Sequence, residues 1–571
     1  MIVGDRSAAA LLPGGPQANW TTLDGLLQKT AARVGSRLAL VDDPDRPLWN
    51  RSPAKRLTYA EAEARVAAMA ARFKADGLSA DQVLALETPA TVDTVLALLA
   101  AFRAGLIVAP LPPLWRRRDS AINLEKVRPS ALVTTGMVDG DKVGTRGISV
   151  AGGLPTVSRV YGLGSGLPEG IVDLDTVTAP ADATAAPSPG SSPDHVATLS
   201  MTAVGSDGAA QVHARSHAQW LAAGLSMVVE CRLPEGASLL VPFSFSGLAG
   251  IGAGLVPWLF TGGTLHLHHF SGLRPLVVHA GNLAPDFVLL PGALAEPLVS
   301  ALTRRGAPRP SIIGAVWKSV HPESLPPPVP SAAATKFVDV TVLDELAFIP
   351  RRRAERAPAG LPLGKVGLNS QSTNAGTMLE TRLDGRPQRA GDRDRSLLNG
   401  TMALKGAVVP PTGSLPIGEG VATGLDADSE GFIRTDVVCR LTGSSPALAV
   451  PVGRDSDRVT VGGISVPTAS LDAIYQGQPG VREAAAFLAP GTGNRQSLRA
   501  AVVFTDAAAT NTGAFRRSLI DAGIALHLMP EGISIVPRLP RGADGAIDRA
   551  ALAQSVTGPG QVATDRAAAS A

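Results

Sequence analysis

Between residues 22 and 109 short apolar runs alternate with segments of helical length, and this alternation constrains the fold more than any other feature of the chain. The stretch TLDGLLQKTAARVG, from Thr22 to Gly35, carries apolar residues at helical spacing, and residues 38–41 (LALV) read as a strand. Leu57-Thr58-Tyr59 leads into an alanine-rich amphipathic helix ending at Gly77. A strand at 83–86, the helix TVDTVLALLAAFRAG and a strand at 107–109 follow. Strands separated by helices of this length need crossover connections, so parallel β-α-β units and an α/β fold are expected.

At 571 residues the chain exceeds a single core, so two or more domains are expected. Apolar residues make up 45% and charged residues 18%, enough to bury a large core. The net charge of +3, from 52 basic and 49 acidic residues, offers no footprint for nucleic acid. The arginine clusters at 116–118 and 351–353 read as solvated loop edges. Cys231 and Cys439 are too few for a disulfide framework and lack metal-ligand spacing, so both are expected as core thiols in a reducing, cytoplasmic compartment. The first 15 residues show no signal-peptide pattern. The Ala-rich, Arg-favouring composition suggests a GC-rich bacterial genome.

From Gly236 to Leu273 there is no Asp, Glu, Lys or Arg. Length alone would permit a membrane span, but Pro242, Pro257 and six glycines between Gly247 and Gly263 argue against one continuous helix. The run VPWLFTGGTLHLHH reads as a helix end, a Gly-Gly turn and a buried strand, so no membrane span is expected. Residues 176–194 form a Pro/Ala/Ser linker, and 556–571 a polar, disordered tail.

Near the C-terminus stands Leu539-Pro540-Arg541-Gly542-Ala543-Asp544-Gly545-Ala546-Ile547-Asp548-Arg549. It resembles the closing motif Leu-Pro-Arg-Thr-x-x-Gly-Lys-Ile-x-Arg of the acyl-AMP-forming (ANL) superfamily, which includes acyl-CoA synthetases, adenylation domains and luciferases. The resemblance extends over nearly the whole chain, through LTYAEAEARVAAMAARFKADGL, VPFSFSGLAGIGAGLVPWLFTGG, GFIRTDVVCRL and GRDSDRVTVGGISVPTASLDAI. It implies the ANL fold: a large domain of layered α/β sheets plus a small β region over 1–452, then a small mobile α+β domain over 453–555. It also implies an acyl-activating ligase. A carboxylic acid and ATP, with Mg²⁺, give acyl-AMP, and the acyl group then passes to a thiol, such as CoA or carrier-protein phosphopantetheine, or to an amine.

The family's phosphate loop, Thr-Ser-Gly-Ser-Thr-Gly-x-Pro-Lys-Gly, corresponds to residues 203–212. Gly205, Ser206 and Gly208 are kept for the nucleotide, Asp207 adds a negative charge, and the lysine is Gln211. The loop is either adapted to another ligand or to weak ATP binding, or an inherited turn from strand to helix. In Thr341-Val342-Leu343-Asp344-Glu345, Glu345 matches the family's Mg²⁺-linked, catalytic glutamate, while Asp344 is either a second metal-facing carboxylate or a loop charge. Asp436 matches the ribose-binding aspartate and Arg454 the arginine that reaches ribose or phosphate. Phe245, Ser246 and Gly247 fall in the acyl-pocket segment, with Phe245 where many relatives carry a histidine. Ser456 takes the hinge position, with Asp457 after it, and Gly462-Gly463 matches the pantetheine-tunnel loop or forms a tight turn.

The closing-motif lysine is Ala546. With Gln211, it removes both family cations, and loss of one preorganised cation typically costs ~10²–10³ in rate. Three functions therefore stay open: a ligase in which Arg215, Arg538 or Arg541 substitutes; a non-adenylating binding or scaffold subunit for a partner enzyme; and an acyltransferase using a preformed acyl donor. His213 and His217, four apart, read as capping or packed residues at a helix start. His266 and His268 share one strand face, either lining the acyl pocket or partly buried, with His269 on the other.

Overall fold

The computed structural model describes residues 21–112, 115–177, 192–204, 210–318, 335–354, 358–368, 377–385, 399–412, 416–417, 421–422, 425–442, 447–454, 458–461, 464–490, 496–505, 511–540, 547 and 549–557. The chain divides into two compact units. The first comprises Met1–Pro113, Leu124–Met201 and Val212–Asp455; the second comprises Leu114–Asn123, Thr202–Gln211 and Ser456–Ala571.

In the first unit the alternation at the start of the chain becomes helix Leu23–Val34, strand Leu38–Val41, helix Tyr59–Ala75, strand Val83–Leu86, helix Val92–Arg103 and strand Ile107–Pro110. The helix starts follow from local chemistry. Thr22 and Thr91 cap their helices through the side-chain oxygen, and Thr58 with Glu61 forms a reciprocal capping box. Ser216 and Gln219 form a second box at helix His217–Cys231.

Two sheets carry most of this unit. One, of seven strands, has Val83–Leu86 between Ala131–Thr135 and Ile107–Pro110, all parallel. The other, of eight strands, runs in the order Ala347–Arg352, Lys336–Leu343, Ile312–Trp317, Phe287–Pro291, Ser238–Val241, Thr264–Leu267, Leu38–Val41, Arg56–Thr58. Its six inner strands are parallel and the two edge strands antiparallel. Helix Val92–Arg103 is buried along its whole length and shares one core with Leu84 and Leu86 of the first sheet and Leu239 and Val241 of the second. A helix covered on every side reads apolar all round, as residues 95–102 do, and its two charges, Asp93 and Arg103, stand at its ends with ion-pair partners. A six-stranded antiparallel sheet, Leu361–Pro362, Leu448–Arg454, Ile433–Leu441, Asn399–Lys405, Leu379–Gly385 and Gly364–Val366, adds the small β region.

The uncharged stretch folds as strand Ser238–Val241, a π-helix Leu248–Leu255 continuing into helix Val256–Thr261, and strand Thr264–Leu267. The helix is longer than the glycines suggested. Cβ atoms at Gly250, Gly252 and Gly254 would stand 1.9 Å from the Ser244 carbonyl, 2.8 Å from Phe348 and 2.9 Å from Val241, so these glycines serve close packing rather than flexibility. Gly262 ends the helix at φ +61°. No helix among the described residues is long and apolar enough to cross a membrane. Both cysteines are free and buried.

Residues 351–353 depart from the solvated-edge expectation. Arg351 and Arg352 end the edge strand, and Arg353 grips Asp339 through two nitrogens at 2.6 and 3.0 Å. Asp339 is buried in the sheet, so its charge needs a partner brought from the neighbouring strand.

The second unit packs helices Thr468–Gln476, Thr512–Asp521 and Arg549–Thr557 with a three-stranded sheet of Val481–Pro490, Gln496–Phe504 and Gly532–Ile535. Two framing residues of the closing motif are structural here. Leu539 is buried with Phe487, Val503 and Leu552. Arg549 donates to the Ala486 carbonyl (2.7 Å) and to Asp472 (2.8 Å). Ala546 lies outside the described residues, as do Ser456, Gly462 and Gly463.

Candidate functional site

Parallel strands of an α/β sheet converge their C-terminal ends on one edge, where loops are free to carry ligand-binding groups. Three such ends come together in the eight-stranded sheet. Strand Ser238–Val241 runs into Phe243–Gly247 and the π-helix, strand Ile312–Trp317 ends at Lys318, and strand Lys336–Leu343 turns at Asp344-Glu345 into the edge strand.

The turn is strained. Asp344 and Glu345 both have positive φ (49° and 56°), and Leu346 N–H closes the turn on the Leu343 carbonyl at 2.8 Å. These are the φ signs of a type I′ turn, usually built from Asn and Gly. Two carboxylate residues held there cost of order 1–3 kcal/mol each in backbone strain, a burden typical of functional positions. Arg215 offsets part of it. Its guanidinium, buried over Trp220 with 5.2 Å to the ring centroid, donates to the carbonyl oxygens of Glu345 and Leu346. Arg215 Nε and Nη1 face no acceptor among the described residues. Burial lowers the Arg215 pKa to about 10, against the opposing pull of Glu345, so the group stays charged at neutral pH.

The Glu345 carboxylate has two fixed partners. Lys318 Nζ donates to Oε1 at 2.7 Å, and the backbone N–H of Leu248, first residue of the π-helix, donates to Oε2 at 2.7 Å. A Cβ on Gly247 would stand 2.6 Å from Oε2, so any larger residue here must push the carboxylate aside. Burial would raise the pKa of Glu345; the Lys318 ammonium, the Leu248 N–H and Arg215 outweigh it and hold the group below its usual range. A magnesium ion seeks oxygen donors. Around Glu345 the structure sets an ammonium, an N–H and a guanidinium, a surrounding that fits an anion and does not fit a metal held through this carboxylate.

Asp436 joins the cluster from the small β region. The register of strand Ile433–Leu441 against Asn399–Lys405 jumps from Val438↔Thr401 to Arg434↔Ala403, so three residues, Thr435, Asp436 and Val437, oppose Met402. This bulge supplies the local break that a glycine before the aspartate would give. Asp436 N–H donates to Asp344 Oδ2 at 2.5 Å. Asp344 thus holds backbone rather than standing as a bare loop charge. Phe245 is buried and Ser246 bonds Ser244 (Oγ to Oγ, 2.9 Å). Both line a narrow crevice with Leu86, Thr88, Thr94, Pro110 and Leu111.

The structure therefore gathers Phe245, Ser246, Gly247, Glu345 and Asp436. The backbone of Arg454 pairs with Val437 beside Asp436, while Gly205, Ser206 and Gly208 lie outside the described residues. The described residues on either side form strands Val196–Val204 and Ala210–Ser216, neighbours in the sheet, so a strand rather than a helix follows this segment. Gln211 is exposed in the second of these. His213 is a buried residue of that strand, not of the helix start, and His217 opens the helix and accepts from Leu23 N–H. Lys318 went unnoticed in the sequence. Its one signal is position: the first charge after a fully buried strand.

The profile of the AMP-binding enzyme family matches residues 27–324. Over 562 residues the chain is 24% identical to a salicyl-AMP ligase / salicyl-S-ArCP synthetase of Mycobacterium tuberculosis, covering 94% of this chain and 92% of the relative. It is 25% identical over 566 residues to 2-hydroxy-7-methoxy-5-methyl-1-naphthoate--CoA ligase of Streptomyces carzinostaticus, covering 92% and 91%. Among solved structures, the amide bond synthetase McbA from Marinactinospora thermotolerans superposes with a TM-score of 0.72 at 18% identity, covering 93% of this chain and 99% of that one. With the layered α/β sheets and the carboxylate cluster at their edge, these matches establish that the chain belongs to the AMP-binding enzyme family, the acyl-AMP-forming ligases of the ANL superfamily.

Proposed function

We propose that this chain activates an aromatic carboxylic acid as its acyl-AMP, with Lys318 supplying the positive charge that Gln211 and Ala546 do not. The carboxylate oxygen attacks the α-phosphorus of ATP, the bond to pyrophosphate breaks, and acyl-AMP forms. A thiol of CoA or of carrier-protein phosphopantetheine, or an amine, then attacks the acyl carbon and AMP leaves. The observation that carries the proposal is the Lys318–Glu345 pair, set against Gly247, with the charged Arg215 bonded to the Glu345 carbonyl oxygen. Partial burial of fixed cations, screened less than at an open surface, strengthens their pull on developing phosphate charge. The aromatic class is supported by the buried Phe245 and by the salicyl and naphthoate names of relatives that span the chain. Asp436 is the proposed ribose acceptor with Arg454 beside it, Ser456 the hinge of a smaller domain over 453–555, and Gly462-Gly463 the acceptor tunnel. The proposed location is the cytoplasm, where two buried thiols stay reduced.

The test is acid-dependent pyrophosphate release and hydroxamate trapping with salicylate, anthranilate and 2-hydroxy-1-naphthoate against short aliphatic acids. Aryl acids are expected to react, Lys318→Met to lower the rate ~10²–10³-fold at unchanged circular dichroism, and Asp436→Ala to lose ATP binding. No release with any acid and no saturable ATP binding would overturn the proposal in favour of a non-adenylating subunit.

A further inference from the structure

Away from the Glu345 cluster, two other strand ends of the same sheet carry potential metal ligands. Leu38–Val41 and Thr264–Leu267 are parallel neighbours in the register Leu40↔Leu265 and Val41↔His266. Continuing this register by two residues brings Asp43 opposite His268, and His268 Nδ1 stands 2.9 Å from Asp43 Oδ2. Helix Leu273–Leu283 packs its Leu276, Val277 and Ala280 inward and brings His279 to the same point, Nδ1 to Nδ1 at 3.1 Å from His268. One ligand atom from each of the three residues lies within 4.8 Å of the others, the one such trio among the described residues.

Two imidazole nitrogens and a carboxylate oxygen converging on one point are difficult to satisfy with protons alone. One N–H on His268 Nδ1 cannot point well at both Asp43 and His279. A tetrahedral zinc ion with bonds near ~2.0–2.1 Å sets its ligand atoms about 3.3 Å apart, and the observed 2.9 and 3.1 Å are within a few tenths of that. The carboxylate is already oriented: Asp45 N–H donates to Oδ1 and His269 N–H to Oδ2, each at 2.8 Å. Such supporting bonds hold a ligand in place before the metal arrives. Asp43 and His268 are buried and His279 half-buried, so solvent meets the trio on the helix side, where a fourth ligand can be water.

We infer that Asp43, His268 and His279 form a site for a divalent first-row cation of the Zn²⁺ type, tying the first strand of the sheet to helix Leu273–Leu283. Nitrogen and carboxylate donors suit zinc and cobalt rather than calcium or magnesium. A cation bound only in the folded state stabilises that state.

The full-length protein, stripped with EDTA, is titrated with Co²⁺ and separately loaded with Zn²⁺, dialysed and measured for metal content. The expected result is one-to-one uptake, visible ligand-field absorption with Co²⁺, and a higher thermal midpoint with Zn²⁺ than with EDTA. His279→Gln, half-buried and close in shape, is expected to fold, to weaken Co²⁺ binding at least ~100-fold and to lose the thermal gain. Asp43→Asn keeps most of the carboxylate's hydrogen bonding and is expected to weaken binding likewise. Absence of ligand-field absorption, or equal uptake by wild type and His279→Gln, would overturn the site and leave a hydrogen-bonded trio.

Discussion

Replacing Lys318 by methionine removes the ammonium from Glu345 while keeping a side chain of similar length. The two side chains are 25% and 13% exposed, and the pair is 2.7 Å apart. At an effective dielectric near 20 the gross attraction is about 6 kcal/mol, and desolvation and side-chain ordering cancel much of it. What remains in Lys318→Met is a largely buried carboxylate held by the Leu248 N–H and neighboured by Arg215, so a loss of about 2–4 kcal/mol is expected. Glu345→Gln keeps an acceptor for Leu248 N–H but leaves the ammonium without its anion. In the double variant neither charge is stranded, so the two losses must fall short of adding by about 1–3 kcal/mol. Urea unfolding of the four proteins, followed by circular dichroism, measures this coupling. Glu345 also carries a pH signature. Its folded pKa is depressed, so the stability it contributes is present above the unfolded carboxylate value and is lost as pH falls through the folded one. Additive losses, with coupling under about 0.5 kcal/mol, would refute the claim that the two charges hold each other at the strand ends.

Three further outcomes are expected. Gly247→Ala puts a methyl group 2.6 Å from Glu345 Oε2, which must displace the carboxylate from Leu248 N–H; a loss of about 1–3 kcal/mol in urea denaturation is expected, and an unchanged midpoint would contradict the packing. Arg46 is 1% exposed and bonds Asp42 and Asp93, each at 2.5 Å; Arg46→Met leaves Asp93 with Lys55 as its cation and Asp42 with only the backbone N–H groups of Lys55 and Val92, and should cost about 2–4 kcal/mol by the same measurement. His213 and His217 are buried and held neutral, burial lowering each to about 3. The unfolded chain therefore binds more protons, and stability falls as pH drops below about 6.5, by roughly 2 kcal/mol per histidine at pH 5. Denaturant stabilities at pH 7 and pH 5 check this, and His213→Leu should reduce the difference by roughly 2 kcal/mol.

How much could be read beforehand depended on the range of the interactions. The helices of the first 110 residues were legible because their signals are local: apolar residues recur at helical spacing in Leu23–Val34 and Tyr59–Ala75, and residues 95–102 are apolar throughout. Glu345 and Asp436 were legible through motif order. The helical run Leu248–Thr261 was not, because its glycines break helices in isolation and are tolerated only where Ser244, Trp220, Phe348 and Val241 press against them. The arginines at 351–353 misled for the same reason, since Asp339 reaches Arg353 only across paired strands.

By itself the sequence determined the layered α/β class, the alternating helices and strands of the first 110 residues, the uncharged but non-spanning segment, and a family pattern from which two lysines have gone. Tertiary structure alone decided which charges meet. Lys318 faces Glu345 and Asp43 meets His268 because a parallel sheet collects the ends of strands distant in sequence along one edge, while Asp436 reaches Asp344 from the small antiparallel sheet and His279 joins His268 from a helix packed on the strands. Strand order is fixed by the packing of whole layers, and no local stretch of residues encodes which strand ends become neighbours.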